Sequence, residues 1–295
     1  MKPAPFEYVA PRSLEEAVSL LEEHGFTGKI LAGGQSLGPL LNMRLAFPEV
    51  LVDLNKVSEL DYIKRENGHL EIGAIARQRR LEKEPGIGEG WPLLREVAPW
   101  IGHTTLRNRG TICGSIAHAD PAAELPAVAV ALGAEMDIAG PDGKRTSTPE
   151  EFFISYLTTD LEPEEILTSV RFPSPLPRSG SAFMEIARRH GDFALVGVAA
   201  VMTLGEDGEI SGAKLVYTGV DSIPFQAKEA AGMLAGESPG EELFADVAEK
   251  ASAECEPGSD IHASANYRRR LVRVLTRRAI GKALERAKGE NDGAS

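Results

Sequence analysis

The chain has 295 residues, 42% of them hydrophobic and 26% charged, the composition of a globular protein with room for two or three compact domains of ~100–150 residues. A net charge of −12 and a pI near 5.1 argue against non-specific nucleic-acid binding and against attachment to anionic membranes. The two cysteines, Cys113 and Cys255, exclude a disulfide scaffold and an iron–sulfur cluster held by four thiolates of this chain, and no zinc-ligand spacing appears.

The N-terminal residues lack the apolar segment of a secretory signal. The longest nearly apolar run, 193–204, is short of the ~20 residues that span a bilayer. A soluble, cytoplasmic protein is expected, with no membrane span and no nucleic-acid partner.

Ser13 and Glu16 read as a capping box opening a helix that Gly25 ends, with Leu14, Ala17, Val18, Leu20 and Leu21 on its apolar face. Lys29-Ile30-Leu31 is a short strand running into the loop Ala32-Gly33-Gly34-Gln35-Ser36. A helix then starts at Gly38-Pro39 and reaches Arg44, and 50–54 is a buried strand. This makes a first α/β lobe over residues 1–55. Asn67-Gly68 turns a hairpin between 62–65 and 69–75. Helices are expected at 77–84 and 91–100, then a second glycine loop, then a helix from Pro121 to Leu132. A second hairpin follows around Pro141-Asp142-Gly143, and a strand at 166–172 closes a second lobe over 56–175. Pro173-Ser174-Pro175-Leu176-Pro177 is a linker. Beyond it, 178–288 reads as strands at 181–189, 193–204 and 209–219 followed by helices, the last over 264–288. The fold class is therefore α+β: two α/β lobes and an antiparallel sheet with helices on one face. The tail after Gly289 is polar and reads as frayed.

The first glycine loop sits where a strand meets a helix start, where backbone N–H groups and hydroxyls can face phosphate oxygens. It is neither Gly-x-Gly-x-x-Gly nor a Walker loop, and a tight turn built of small residues is the plain alternative. Residues 34–38 also match the Gly-x-Ser-x-Gly nucleophile elbow, with Ser36 as nucleophile and His103, His118, His190 or His262 as base. An elbow normally follows several core strands, however, and only one precedes Ser36. The second loop, Gly110-Thr111-Ile112-Cys113-Gly114-Ser115, is of the same chemical kind. Asp120 and Glu124 follow it at a helix start, either as N-terminal stabilisers or as acceptors for sugar hydroxyls. Arg107 and Arg109 read as phosphate ligands or as structural ion pairs. Two such loops can grip one extended, phosphate-bearing ligand from two sides.

Together these motifs resemble the flavin-binding medium subunit of the molybdenum hydroxylases, the family of carbon monoxide dehydrogenase and, more distantly, xanthine dehydrogenase. The first loop matches the family's Ala-Gly-Gly-Gln-Ser in all five positions. The second corresponds to its Thr-Ile-Gly-Gly. Arg107-Asn108-Arg109-Gly110, Ala119-Asp120-Pro121, Glu164-Glu165-Ile166-Leu167, the run from Arg188 to Phe193 and that from Ser264 to Arg269 follow in family order over nearly the whole chain.

The resemblance implies a PCMH-type FAD-binding domain in two lobes plus the C-terminal unit. It implies that Ala32, Gly33, Gly34, Gln35, Ser36 and Leu37 hold the pyrophosphate, with Lys29, Ile30 and Leu31 on the same wall. Gly110, Thr111, Ile112, Cys113, Gly114 and Ser115 would grip the other side. Asp120 and Glu124 would meet ribose or ribityl hydroxyls, Ile101 and Leu167 would lie against the cofactor, and Phe193 would stack near the isoalloxazine ring. A core-strand position is the alternative for Phe193.

Cys113 departs from the family's first glycine. A positive φ there would cost about 1 kcal/mol or more, and without one the side chain only narrows the approach to the ligand, so altered flavin geometry or affinity rather than loss is expected. Met184 stands where some relatives carry lysine, so no cation is assumed there. By the same resemblance, molybdopterin cofactor and [2Fe–2S] clusters belong to a large and a small partner subunit in a dimer of heterotrimers. FAD would pass electrons to NAD, a quinone or another acceptor. No residue of this chain is expected to be catalytic, and none to bind metal. The alternative is a stand-alone FAD-dependent oxidoreductase of the same superfamily. The arginines of the last helix, including Arg268, Arg273, Arg277 and Arg286, read as a solvated basic face or as a partner-docking surface.

Overall fold

The computed structural model describes residues 1–289, so the polar tail lies outside the described residues. Ser13 Oγ accepts the Glu16 N–H at 3.2 Å and opens the helix Leu14–His24. Only half of the capping box forms, because the Glu16 carboxylate takes the N–H of Arg12 instead (2.8 Å). Gly25, at φ +49°, ends the helix in a conformation that costs glycine least. Strands β1 (Glu7–Val9), β2 (Gly28–Leu31) and β3 (Val50–Asp53) form a parallel sheet in the order β1-β3-β2. The middle strand is buried throughout, as a doubly covered parallel strand must be. β1 has no counterpart among the expected strands. It is three residues long, and its alternation is too short to read.

Strands β4 (Ile63–Glu66), β5 (His69–Gly73), β6 (Glu135–Gly140), β7 (Gly143–Ser147) and β10 (Ile166–Pro173) form an antiparallel sheet ordered β4-β5-β10-β6-β7. Asn67 and Gly68 both have positive φ, which defines the two-residue turn expected between β4 and β5. β10, the last strand of the unit in chain order, lies in the middle of the sheet, which accounts for its mainly buried, apolar sequence. β8 (Phe153–Ser155) and β9 (Thr158–Thr159) make a separate small hairpin. The helices expected at 77–84 and 91–100 shorten to Arg79–Lys83 and Pro92–Val97, with a turn of helix Ile87–Gly90 between them. Pro85 and Pro99 account for this, since neither can continue the helix before it.

The third unit is a sheet ordered β11 (Ser179–Ala187), β12 (Ala194–Leu204), β13 (Ile210–Thr218), β14 (Phe225–Gln226). One face, with Val196, Val198, Ala200 and Tyr217, packs on Val272, Leu275, Ala279 and Ile280 of the helix Ala265–Ala287. Its own helices therefore cover one face, as expected. The opposite face sends Phe183, Ala199 and Val216 into the core shared with the second unit, and the helix Glu124–Leu132 lies against it. Glu96 ties the two units together. It accepts two bonds from Arg286 (2.6 and 3.1 Å) and one from the Phe183 N–H (3.1 Å). The arginines of the last helix divide: Arg268 is buried against Asp260, while Arg273 and Arg277 make solvent-exposed pairs with Glu249 and Glu241, and Arg270 and Arg278 are exposed.

Candidate functional site

The two glycine loops meet backbone to backbone. A Cβ on Gly33 would lie 2.5 Å from the Arg109 carbonyl oxygen, 2.7 Å from Gly110 Cα and 2.9 Å from Thr111 N. Only glycine permits that approach. One on Gly114 would lie 3.8 Å from Ala32 Cβ. Gly34 carries the left-handed turn at φ +69°, and Gln35 Nε2 donates to the Gly33 carbonyl (2.9 Å). Ser36 precedes the helix Leu37–Asn42 with right-handed backbone (φ −101°, ψ −50°), and its hydroxyl caps nothing. That removes the nucleophile-elbow reading, which puts the strained turn at the serine itself.

Sequence reasoning missed the residues that hold the loops together. Asn55 Nδ2 donates to the Ala32 carbonyl (2.8 Å), and Asp53 Oδ1 accepts the Asn55 N–H (2.9 Å). Tyr8 OH reaches Asp53 Oδ2 (2.5 Å), and this bond raises the tyrosine pKa. Arg77 bridges the loops: one guanidinium N–H bonds Asn55 Oδ1 and another the Arg109 carbonyl (2.5 Å). Burial, with the charge of Arg109, lowers its pKa. Gln78 lies under Gly110, its N–H bonded to the Gly110 carbonyl (2.9 Å). Apart from the local Asp53–Asn55 bond, no sequence spacing announces these contacts, which join residues far apart along the chain.

The second loop is shorter than expected, because Ile112–His118 is itself a helix. Thr111 caps it, accepting the Gly114 N–H (3.1 Å). Of the two alternatives for Cys113, the structure excludes the positive-φ one. Its φ is not positive, its side chain is buried, and its thiol reaches the Ile72 carbonyl (3.4 Å). Burial pushes the thiol pKa up. No backbone strain follows from replacing glycine there, and the side chain points into the core. Ile101, Ile112 and Leu167 are also buried in that core. Lys29 is exposed, and Ile30, Leu31, Leu37 and Ser115 are half-buried along the two walls. His118 is lowered chiefly by burial, with Asp120 opposing and Lys29 adding its charge.

The helix expected from Pro121 begins at Glu124, because 120–123 form a turn in which Asp120 Oδ1 accepts the Ala122 N–H (2.9 Å). Glu124 is 4% exposed, and burial pushes its pKa up to about 7. Arg107 is structural. It is buried, bonded to Glu82 (2.7 Å) and to the Ile101 and Gly102 carbonyls (3.0 Å each). Arg109 is exposed. Phe193 is 59% exposed just before β12, which removes the core-strand alternative. Nearby, the His103 and His190 rings stand 6.5 Å apart, and Arg188 pairs with Asp192. Met184 packs with the core on the far side of the sheet, away from the second unit.

The arrangement fits an extended, phosphate-bearing cofactor. It offers a backbone cradle only glycine allows and a Ser36 hydroxyl that caps no helix, with a buried carboxyl at Glu124 and an exposed ring at Phe193.

Known proteins place the chain. Residues 4–175 match the family described as FAD binding domain in molybdopterin dehydrogenase, and residues 181–283 match the CO dehydrogenase flavoprotein C-terminal domain. The chain is 40% identical over 288 residues to the alpha subunit of the 6-hydroxypseudooxynicotine dehydrogenase complex of Paenarthrobacter nicotinovorans, covering 98% of this chain and 97% of that one. A carbon monoxide dehydrogenase chain from Hydrogenophaga pseudoflava superposes with a TM-score of 0.94 at 37% identity, covering 97% and 99%. A quinoline 2-oxidoreductase chain from Pseudomonas putida 86 superposes at 0.92 with 40% identity, covering 98% and 99%.

Proposed function

Since this chain belongs to the family of FAD-binding subunits of the molybdopterin dehydrogenases, we propose that its two glycine loops clamp FAD between residues 1–55 and 56–175, with 178–288 as the C-terminal unit. The contact of Gly33 with 109–111 carries the reading. Backbone N–H groups of 33–36 and the Ser36 hydroxyl hold the pyrophosphate, with Ala32, Leu37 and 29–31 completing that wall. Gly110, Thr111, Gly114 and Ser115 close the other side, and Ile112 and Cys113 contribute backbone only. Asp120 and Glu124 accept hydrogen bonds from sugar or ribityl hydroxyls. Ile101 and Leu167 exclude water beside the ring, and Phe193 shields one of its faces.

When bound, FAD supplies the exchange between one-electron carriers and a two-electron acceptor. The chain's own residues bind it, orient it and leave one side open to the acceptor. With two cysteines in its 295 residues, the chain relies on a small partner subunit for [2Fe–2S] clusters and on a large one for molybdopterin cofactor, in a dimer of heterotrimers. Substrate choice then lies with the large subunit, and the acceptor is NAD, a quinone or another oxidant. Among the described residues no helix is long and apolar enough to cross a membrane, and we assign the complex to the cytoplasm. Purification of the tagged chain from cells expressing the neighbouring subunits tests this. Two co-purifying subunits and FAD released on heating are expected. A flavin-free chain that copurifies with neither subunit would overturn the reading.

A further inference from the structure

One buried carboxyl has no role in the fold. Glu185 on β11 is 5% exposed, and its Oε2 has no hydrogen-bond partner among the described residues. A native core seldom leaves such a group unpaired. Its place is defined by register. Glu185 is opposite Gly197, and Gly197 is opposite Thr218, so the three form one row across β11, β12 and β13. The row faces the second unit, two residues beyond the Phe183, Ala199 and Val216 row that enters the shared core. Thr218 Oγ1 donates to the Pro121 and Ala123 carbonyls (2.6 and 3.0 Å), and the Gly219 N–H bonds the Pro121 carbonyl (2.8 Å). The row therefore abuts the turn that leads into Glu124. Gly197 keeps the spot open: a Cβ there would lie 2.7 Å from Thr218 Cγ2 and 3.7 Å from Glu185 Cγ.

We propose that Glu185 and Glu124 form a proton-holding carboxyl pair at the seam between the FAD-binding and C-terminal units, and that loss of its proton weakens the hold on FAD. The second half rests on the FAD reading above. Two desolvated carboxyls facing one seam do not both ionise, because each negative charge disfavours the other. Burial and then the charge of Glu124 raise Glu185 to about 9. The other charged groups facing Glu124 are Asp120, which raises it, and Arg107, which opposes. Arg107 is already committed to Glu82 and two carbonyls, so the pair has no cation of its own. A doubly ionised pair would put a further negative charge beside the phosphates and ring of an anionic cofactor. The proton removes it.

The infrared spectrum of the flavin-free full chain tests the first half without the cofactor. A protonated-carboxyl carbonyl band is expected at about pH 8, above the value of about 7 for Glu124 and below that of about 9 for Glu185, and largely lost in Glu185→Gln. FAD titrations test the second half. The wild-type Kd is expected to rise about tenfold between about pH 7 and about pH 10, and a tenfold rise reports a one-unit pKa shift on binding. In Glu185→Gln the Kd stays flat. A band that survives undiminished in Glu185→Gln, or a flat wild-type Kd, overturns the proposal. The wild-type titration decides alone should the variant not fold. A chain that shows the band yet binds no FAD at any pH overturns the cofactor reading and, with it, only the second half.

Discussion

Replacing Gly33 by alanine probes the contact on which the cofactor site depends. The added methyl carbon would sit 2.5 Å from a carbonyl oxygen, 2.7 Å from a Cα and 2.9 Å from an amide nitrogen, all of them backbone. Ordinary contacts between such atoms begin near ~3.5 Å, so the loops must part by roughly 1 Å. No flexible side chain can absorb that shift. Asn55 holds the Ala32 carbonyl and Arg77 holds the Arg109 carbonyl, so parting also loosens these ties. Overpacking of this kind costs about 1–3 kcal/mol, which is about 5- to 150-fold in affinity if the clamp must close on FAD. The assay is fluorescence titration of the apo chain with FAD, paired with thermal unfolding. Gly232→Ala is the control, at a glycine whose Cβ would meet nothing within 4 Å in a helix of the third unit. Gly33→Ala binding FAD as tightly as wild type, with an unchanged melting temperature, would refute the reasoning.

Cys113→Ala should leave FAD affinity within about twofold while costing about 1 kcal/mol of stability, because it removes a buried sulfur rather than a ligand contact. In the folded chain the buried Cys113 thiol should react with alkylating agents only at the rate of local opening. Glu96→Ala should cost roughly 2 kcal/mol, since it strands a half-buried Arg286, and calorimetry should show the C-terminal unit melting separately. Glu185 sets a pH dependence of stability. Its folded pKa of about 9 lies above the ordinary ~4.3 of an unfolded glutamate, so the folded state keeps a proton the unfolded state gives up. Stability should therefore fall as pH rises from ~4.3 towards 9 and level off above that, by roughly 4 kcal/mol at neutral pH. Urea unfolding of Glu185→Gln should show this slope flattened, with the variant gaining on wild type as pH rises.

Local chemistry made part of this molecule legible. Asn67-Gly68 specified its turn because both positions need positive φ. The two glycine loops stood out because small and hydroxylated residues were concentrated at a strand–helix junction. The helix Ile112–His118 was hidden by its own poor propensity, with a glycine at 114 and isoleucine at 112 and 116. It forms because Thr111 caps it and because Ile112, Cys113 and Ile116 face the core. Tyr8, Asn55 and Arg77 carried no local signal, since each acts through a partner more than twenty residues away. Glu185 carried none either. Its alternate neighbours Ser179 and Ser181 are polar, while Ala182, Met184 and Ile186 make the apolar set, so alternation alone reads Glu185 as solvent-facing. The central place of β10 was not legible, because sheet order depends on long-range pairing rather than on the strand's own residues.

The most direct test is the absorption spectrum of the purified chain, before and after heat release and identification of the bound cofactor. Flavin bands in the native protein, FAD in the supernatant, and less of both in Gly33→Ala are the results predicted. A colourless wild-type chain that also fails to take up added FAD, alone and with its partner subunits, would contradict the account.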